Sequence, residues 1–544
     1  MNRSIFEIQP IGGVGEIGSN MTLMKIDQEM ILIDCGILFP ENNQFDINYL
    51  IPNYATLPSI NKIIITHGHE DHIGAVSHLL DALPDIEIFC TDFTKELILR
   101  KFHFLKRAAP KLNLISINDS INFADYNLDF IHVNHSIPQT MGLLFTAKKH
   151  SLAVFYASDF KVDHISPYEK PFDFDKLTKL SCDMKKRIFL CDSTNIISTK
   201  NKTTSEAELI KDLQKIISLA EARTFITLFS SNIHRLQTLI HIAKKTNKKI
   251  VLHGRAMSAY VQMAKKCYLL DVDENIFIEA VAAKAYADKN LLIIVSGCQA
   301  DFKSALNRII SDNDPAFKLT DKDTFIFSSK AIPGNEKKIA EALNKITMKG
   351  TSLYTPDNAL IHASGHPCKA DLLEVYEKYA PTEIVPIHGE TFFLERHCQY
   401  INRVYPQASS IKLTNYDKLI VDDELNFKIN ASPSHEPLII HGKGVEIKRE
   451  KLKQRRKVGH SGCVLFSARR DDLLKFKQNF KIEYIGIPEI NSEQQEQFEF
   501  SLTDVLKTSK IKKTTDLEDK IKIHIRQFIN KLFGYKPVTI VHLV

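Results

Sequence analysis

Cysteine pairs are the first thing missing. The nine cysteines of this 544-residue chain include no C-x-x-C spacing, which argues against a zinc ribbon or a disulfide framework. Their odd number and mostly apolar flanks fit a reducing cytoplasm. No stretch approaches the roughly 18 apolar residues of a membrane helix. The first ten residues, "MNRSIFEIQP", hold neither an apolar h-region nor a small-residue cleavage site. Internal repeats and low-complexity tracts are also missing. The expectation is a cytoplasmic chain with no membrane attachment.

What is present is ordinary globular material: 44% hydrophobic and 25% charged residues, enough for burial and too apolar for wholesale disorder. The length calls for several domains. Residues 1–202 alternate short β-rich runs with helical segments, implying a sheet with helices packed on it. From 203 to 355 the style becomes strand–helix repetition, as in "FITLFSS", "KKIVLHG", "LLIIVSG" and "DTFIFSS", which predicts a parallel sheet covered on both faces. Residues 356–428 return to strand ends carrying histidines and read as re-entry into the first domain. A Ser- and Pro-containing linker, 429–445, leads to a C-terminal α/β part, 446–544. The net charge of +6 is unevenly spread. Residues 441–544 hold 22 Lys+Arg against 13 Asp+Glu, or +9, leaving −3 for the first 440. The densest run, "KREKLKQRRK" at 448–457, is either a solvated face or a phosphate-tracking patch.

The chemistry starts at "HGHEDH", residues 67–72, directly after the apolar run Ile63–Ile65. Imidazoles and carboxylates are costly to bury without partners, and one metal ion satisfies several at once. A solvated loop explains one or two histidines but not the H-x-H-x-D-H spacing. Other candidates end strands elsewhere: His135 in "VNHSIP", Asp159 in "YASDF", Asp192 in "LCDSTN", "HASGH" at 362–366 and "PIHGE" at 386–390. Sites in α/β proteins form at such ends. His67, His69 and His135 suit one ion, Asp71, His72 and His388 a second, with Asp159 as bridge. Nitrogen and carboxylate donors without cysteine favour Zn²⁺, then Mn²⁺; Glu70 stays outside the set. "GVGEIG", Gly13–Gly18, matches a dinucleotide fingerprint with Asp34 as its acid. "SNMTLMKID" follows with strand alternation, so the glycines read as a turn between strands.

In their order, "HGHEDH", "NHSIP", "SDFKVD", "DSTN", "HASGH" and "PIHGE" resemble metallo-β-lactamase-fold nucleases with a β-CASP insertion, bacterial ribonuclease J above all. "IGGVGEIGSNM", "FSSNIHR" (229–235), "IPGNEKKI" (332–339) and "KPVTIVHLV" extend the resemblance over nearly the whole chain. It implies an αββα metallo-β-lactamase sandwich (1–202 and 356–428), a β-CASP α/β domain (203–355) and a small C-terminal α/β domain (446–544). It implies metals, two Zn²⁺ with Mn²⁺ or Mg²⁺ as substitutes, on His67, His69, Asp71, His72, His135, Asp159 and His388. Asp71 is counted with the catalytic groups, His366 assists the departing oxygen, and Asp192 supports the site. The segments Ser231, Asn232, Ile233, His234 and His362, Ala363, Ser364, Gly365, His366 would contact substrate phosphate. Where an acid is expected after "HSIP", this chain has Gln139.

The function implied is that of a cytoplasmic ribonuclease acting 5′ to 3′ on single-stranded RNA with 5′-monophosphate ends, with endonuclease activity besides, in RNA maturation (rRNA processing included) and mRNA decay. Homodimers or homotetramers, an RNA helicase and degradosome components are the implied partners. Rival readings are a small-molecule hydrolase, which needs neither the 150-residue insertion nor the basic tail, a DNA-directed β-CASP nuclease, and a metal-free β-CASP scaffold.

Overall fold

A computed structural model gives the fold for residues 4–26, 28–40, 47–475, 477, 479–508 and 514–544. Contacts divide it into two compact units, which meet in the chain at Leu438/Ile439. In the first unit two sheets lie face to face. One runs, edge to edge, Phe427–Asn430, Lys418–Asp422, Ser4–Gly12, Met21–Ile26, Glu29–Ile33, Lys62–Ile64, Glu87–Cys90 and Leu112–Leu114. The other runs Ser409–Ser410, Glu383–Ile387, Lys186–Asp192, Leu152–Tyr156, Met141–Ala147, Asn127–His132 and Ser120–Asn122.

The strands' composition explains the layering. Met141–Ala147 and Leu152–Tyr156 are buried at every residue, because one face meets the first sheet and the other a helical layer. Phe6, Ile8, Met24 and Ile33 of the first sheet share a core with Phe130, Leu143, Val154 and Leu190 of the second. On the second sheet's other face Phe155, Phe189 and Ile384 pack with Leu372, Tyr376 and Ile401 from helices Lys369–Tyr379 and Thr391–Val404. This is the expected αββα arrangement. The turn around Gly13–Gly18 leads into strand Met21–Ile26, not a helix.

The chain leaves the second sheet after Lys186–Asp192 and rejoins it at Glu383–Ile387, and these two strands pair in parallel with Asp192 opposite Ile387. Asp192 and His388 are therefore neighbours despite almost two hundred intervening residues. Between them lies a five-stranded parallel sheet ordered Lys249–His253, Leu291–Val295, Thr224–Thr227, Thr324–Phe327, Ser352–Tyr354. Its helices include Glu206–Leu219 and Ile233–Lys245. Residues 429–445, expected as a linker, carry the end of strand Phe427–Asn430 and strand Leu438–His441. In the second unit, Cys463–Ala468 pairs antiparallel with Phe480–Ile485 and parallel with Val538–Leu543. Helices Ser492–Thr508 and Thr514–Phe533 supply Phe498, Leu502, Ile521 and Ile525 to its core.

A buried arginine of the insertion pairs with a carboxylate there and reaches the return segment through a hydrogen bond. Arg235, fully buried, donates to Glu206 Oε1 at 2.7 Å and Oε2 at 2.8 Å, to Ser328 Oγ at 2.6 Å and to the Ile361 carbonyl at 3.0 Å. Burial alone would raise the Glu206 carboxyl, but Arg235 draws it down to about 2. Arg235→Met would strand that carboxylate, at a cost of about 3–5 kcal/mol. The variant should show a clearly lower urea midpoint than wild type at neutral pH, and adding Glu206→Gln should recover part of the loss. Because the folded-state pKa is depressed, the pair's stabilisation is full above pH 4.5, the ordinary value, and is lost as pH falls towards 2.

Candidate metal centre

The strand ends on one rim of the sandwich bring the candidate ligands together. After Lys62–Ile64 the chain runs through His67 and His69 into a one-turn helix, Glu70–Ile73, which carries Asp71 and His72. Gly36 lets a neighbouring strand end approach this turn, since a Cβ there would lie 1.6 Å from the Asp71 carbonyl oxygen. His135 follows Asn127–His132, Asp159 follows Leu152–Tyr156, and His388 follows Glu383–Ile387. Asp34 (φ 59°), Ser158 (φ 57°) and His388 (φ 50°) are all left-handed. Non-glycine residues adopt that region at a cost, and such strain gathers at functional sites.

His67 Nε2 and His135 Nε2 each lie 3.1 Å from His69 Nδ1, and both lie 3.8 Å from Asp159 Oδ2. Zinc–nitrogen bonds of about 2.0–2.1 Å require tetrahedral N···N edges of about 3.3–3.4 Å, close to the spacing seen. In the second group His72 Nε2 is 3.3 Å from Asp159 Oδ2 and 3.6 Å from Asp71 Oδ2. There His388 Nε2 is 3.4 Å from Asp71 Oδ2, and its Nδ1 is 2.9 Å from Asp159 Oδ1. Asp159 belongs to both groups. His388 Nε2 and Asp159 Oδ1 are buried yet make no hydrogen bond. Mostly buried imidazole and carboxylate donors that converge within 4.8 Å of one another in each group, those of His388 and Asp159 among them, are a donor set that fits divalent metal.

The electrostatics distinguish the two groups. Burial, with repulsion from neighbouring imidazoles, holds His67 and His135 well below the usual histidine range, and His69 falls to about 4. These three are neutral at pH 7 with lone pairs to offer. Burial would lower His72 as well, but Asp159, Asp71 and Asp34 push it up to about 10. Burial would raise Asp159, yet His388 and His72 keep it ionised. Glu70 points away to Lys101 Nζ at 2.6 Å.

Beside both groups stands His366, its Nδ1 2.7 Å from Asp192 Oδ2. Burial works against its charge, but Asp192 raises its pKa. The Thr194 N–H donates to Asp192 Oδ1 at 2.8 Å. Asn195 Nδ2 donates to Ser364 Oγ and to the His366 carbonyl, both at 2.8 Å.

The expected substrate segments have protein partners. Ser231 Oγ is 3.1 Å from His69 Nε2. Asn232 is the N-cap of Ile233–Lys245, its side chain accepting from the Arg235 N–H at 2.9 Å, and Ile233 and Ala363 are buried. His135 Nδ1 bonds the Gly365 carbonyl at 2.7 Å, and a Cβ on Gly365 would come within 2.7 Å of the His135 ring. That glycine is required by a candidate ligand, whatever its role towards phosphate. His234 Nδ1 and His362 Nδ1 are buried and make no hydrogen bond; burial lowers them to about 4 and 3. Gln139 accepts from the Phe93 N–H at 2.9 Å, at the start of helix Asp92–Phe104.

Sequence reasoning met Asp34 only as the acid of the discounted dinucleotide fingerprint and missed its place at the metal centre. Fully buried, it lies 2.8 Å from His72 Nδ1 and accepts from Thr66 N at 2.8 Å and Thr66 Oγ1 at 2.9 Å. Its one signal was position: an acid ending "MILID", the strand beside the one that leads to His67.

A two-sheet sandwich with an inserted parallel α/β domain and a histidine–aspartate centre on its rim is the architecture of metallo-β-lactamase-fold proteins with a β-CASP domain. Family models match in the same order: a beta-lactamase superfamily domain at 29–174, the ribonuclease J beta-CASP domain at 221–346, and a Zn-dependent metallo-hydrolase RNA specificity domain at 358–409. The chain is 31% identical to ribonuclease J of Mycoplasma genitalium, over 89% of this chain and 84% of that one. It is also 31% identical to ribonuclease J of Corynebacterium glutamicum, over 70% of this chain but only 53% of the relative's length. A crystal structure of a protein of unknown function from Enterococcus faecalis shares the fold, with a TM-score of 0.55 at 16% identity, covering 76% of this chain and 100% of that one. The chain belongs to the ribonuclease J family.

Partners that orient a ligating histidine typically matter 10–100-fold in metal affinity. Asp34→Asn should weaken metal binding by about that factor in competition with a chromogenic chelator. Glu70→Gln, outside the cradle, should leave it unchanged.

Proposed function

We propose that the protein is a two-zinc ribonuclease that hydrolyses phosphodiester bonds of single-stranded RNA from the 5′ end, with endonuclease activity besides, in RNA maturation and mRNA decay. The observation that carries this reading is the His366–Asp192 pair beside two donor groups sharing Asp159. His67, His69 and His135 would hold one ion, Asp71, His72 and His388 the other, with Asp159 between. When bound, such a pair of ions polarises the phosphoryl oxygens and supplies a water with a pKa near 7.

The protein's own groups supply the rest. Nδ1 of His366 is committed to Asp192, which leaves Nε2 to donate. With its pKa raised by that carboxylate, the ring carries the proton that the departing oxygen needs when the phosphorus–oxygen bond breaks. Asp192 fixes the tautomer and balances the imidazolium charge. Ser231 brings the β-CASP domain to His69, and its hydroxyl keeps capacity for a terminal phosphate. A subsite that held the terminal phosphate against the Ser231 hydroxyl would favour a monophosphate over the bulkier, more highly charged triphosphate.

His366→Ala should lower kcat by about 10²–10⁴-fold while the bound metal, measured by elemental analysis, stays near that of wild type. Side-by-side decay of end-labelled RNAs should be faster with a 5′-monophosphate than with a 5′-triphosphate, and Ser231→Ala should narrow the gap. Equal or faster degradation of single-stranded DNA would redirect the assignment to a DNA enzyme, and full activity after exhaustive chelation would end the metal mechanism.

A further inference from the structure

Between Ile196–Ile197, the start of helix Lys369–Tyr379 and helix Thr391–Val404 lies a cavity of about 380 Å³, within the size range of small-ligand sites. Its cations are Lys369, Arg396 and Arg403, and no carboxylate lines it. That is unexpected in a stretch of 440 residues whose net charge is −3. Glu395, next to Arg396 in sequence, is engaged by Lys412 Nζ at 2.8 Å and Gln399 Nε2 at 3.3 Å. The printed contacts of Lys369 and Arg396 are neutral, to the Ser198 carbonyl at 3.4 Å and to Gln399 Oε1 at 3.1 Å, so the lining keeps a net positive charge that an anion can meet.

The lining also offers flat apolar surface. The Arg396 guanidinium lies 5.1 Å from the Phe392 ring centroid, and that of Arg403 5.9 Å from the Tyr400 ring. Each guanidinium thus makes a cation–π contact with a neighbouring ring, and its remaining N–H groups can meet a phosphate oxygen. Phe392 and Ile197 remain 54% and 48% exposed at the mouth, as an aromatic and an aliphatic contact for a planar ring. We propose that this cavity binds a nucleotide unit, with its phosphate held by Lys369, Arg396 and Arg403 and its base against Phe392 and Ile197.

The cavity is mechanically tied to the catalytic loop. Tyr400 Oη donates to the Lys369 carbonyl at 2.7 Å, three residues after His366. Asn195, next to the lining residue Ile196, holds Ser364 and the His366 carbonyl. An occupant would press on the segments that position His366. The choice of a nucleotide rests on the RNA reading, but its binding is measured separately from cleavage. The nucleotide could be a free mononucleotide or part of an RNA strand.

The test is equilibrium dialysis of the full-length, metal-loaded protein with labelled AMP, adenosine, inorganic phosphate and a single-stranded tetraribonucleotide, the last with His366→Ala so that it is not cut. The expectation is an AMP-binding class that Arg396→Gln/Arg403→Gln weakens at least tenfold and Phe392→Ala severalfold, with metal content and thermal midpoint unchanged. Adenosine and phosphate should each bind at least tenfold more weakly than AMP. A tetranucleotide that binds tighter than AMP identifies a strand site; AMP as tight or tighter identifies a free-nucleotide site. Wild-type binding of both ligands by the double and the Phe392→Ala variants overturns the proposal. So does unchanged AMP binding alongside a variant that sediments as a smaller species, which would make the face a contact between copies. Loss of RNA cleavage with AMP binding intact would remove the ribonuclease reading and leave this site standing.

Discussion

A single buried carboxylate organises the rim of the sandwich. Asp159 is 2% exposed and common to every candidate donor group among the described residues. Burying an ionised carboxylate is costly unless positive charge and hydrogen bonds answer it. Here His72 and His388 lie 3.3 and 2.9 Å from its oxygens, answering a charge that a cation on the same donors would take over with both rings neutral, and the trio of His67, His69 and His135 stands on the other side. Three of the candidate ligands are met from behind: His72 by Asp34, His135 by the Gly365 carbonyl, His69 by Ser231.

Those rear contacts link the parts of the first unit. Gly365 lies on the return segment and Ser231 on the insertion, so both report on His135 and His69 directly. Arg235, four residues after Ser231, bonds the Ile361 carbonyl immediately before His362. Two short bridges tie the inserted domain to this rim: Ser231 to His69 directly, and Arg235 to the Ile361 carbonyl beside the His362–His366 segment. The parallel pairing of Lys186–Asp192 with Glu383–Ile387 is what makes the insertion tolerable, because it closes the sandwich as though the chain had never left.

Some of this was legible in the residues. H-x-H-x-D-H is dense enough that local geometry alone limits its options: alternation after a strand sends His67 and His69 to one side, and a single helical turn carries Asp71 and His72. The parallel inserted sheet was legible because its strands are buried on both faces and read as continuous apolar runs. Asp34 was not, since its partner His72 is 38 residues away and no periodicity links them. The same limit hid the cavity around Arg396 and Arg403, whose lining comes from residues 196–403.

By itself, then, the sequence determined which residue types stand at strand ends and which elements carry them, because those follow from burial patterns and short spacings. Tertiary structure alone decided what each residue is for. Asn232 caps a helix, Gly365 makes room for His135, Gln139 bonds a helix N-terminus, and Asp34 orients His72. The physical reason is that a hydrogen bond has a range of about 3 Å in space and none in sequence. Which donor meets which acceptor is settled only when the sheets have packed.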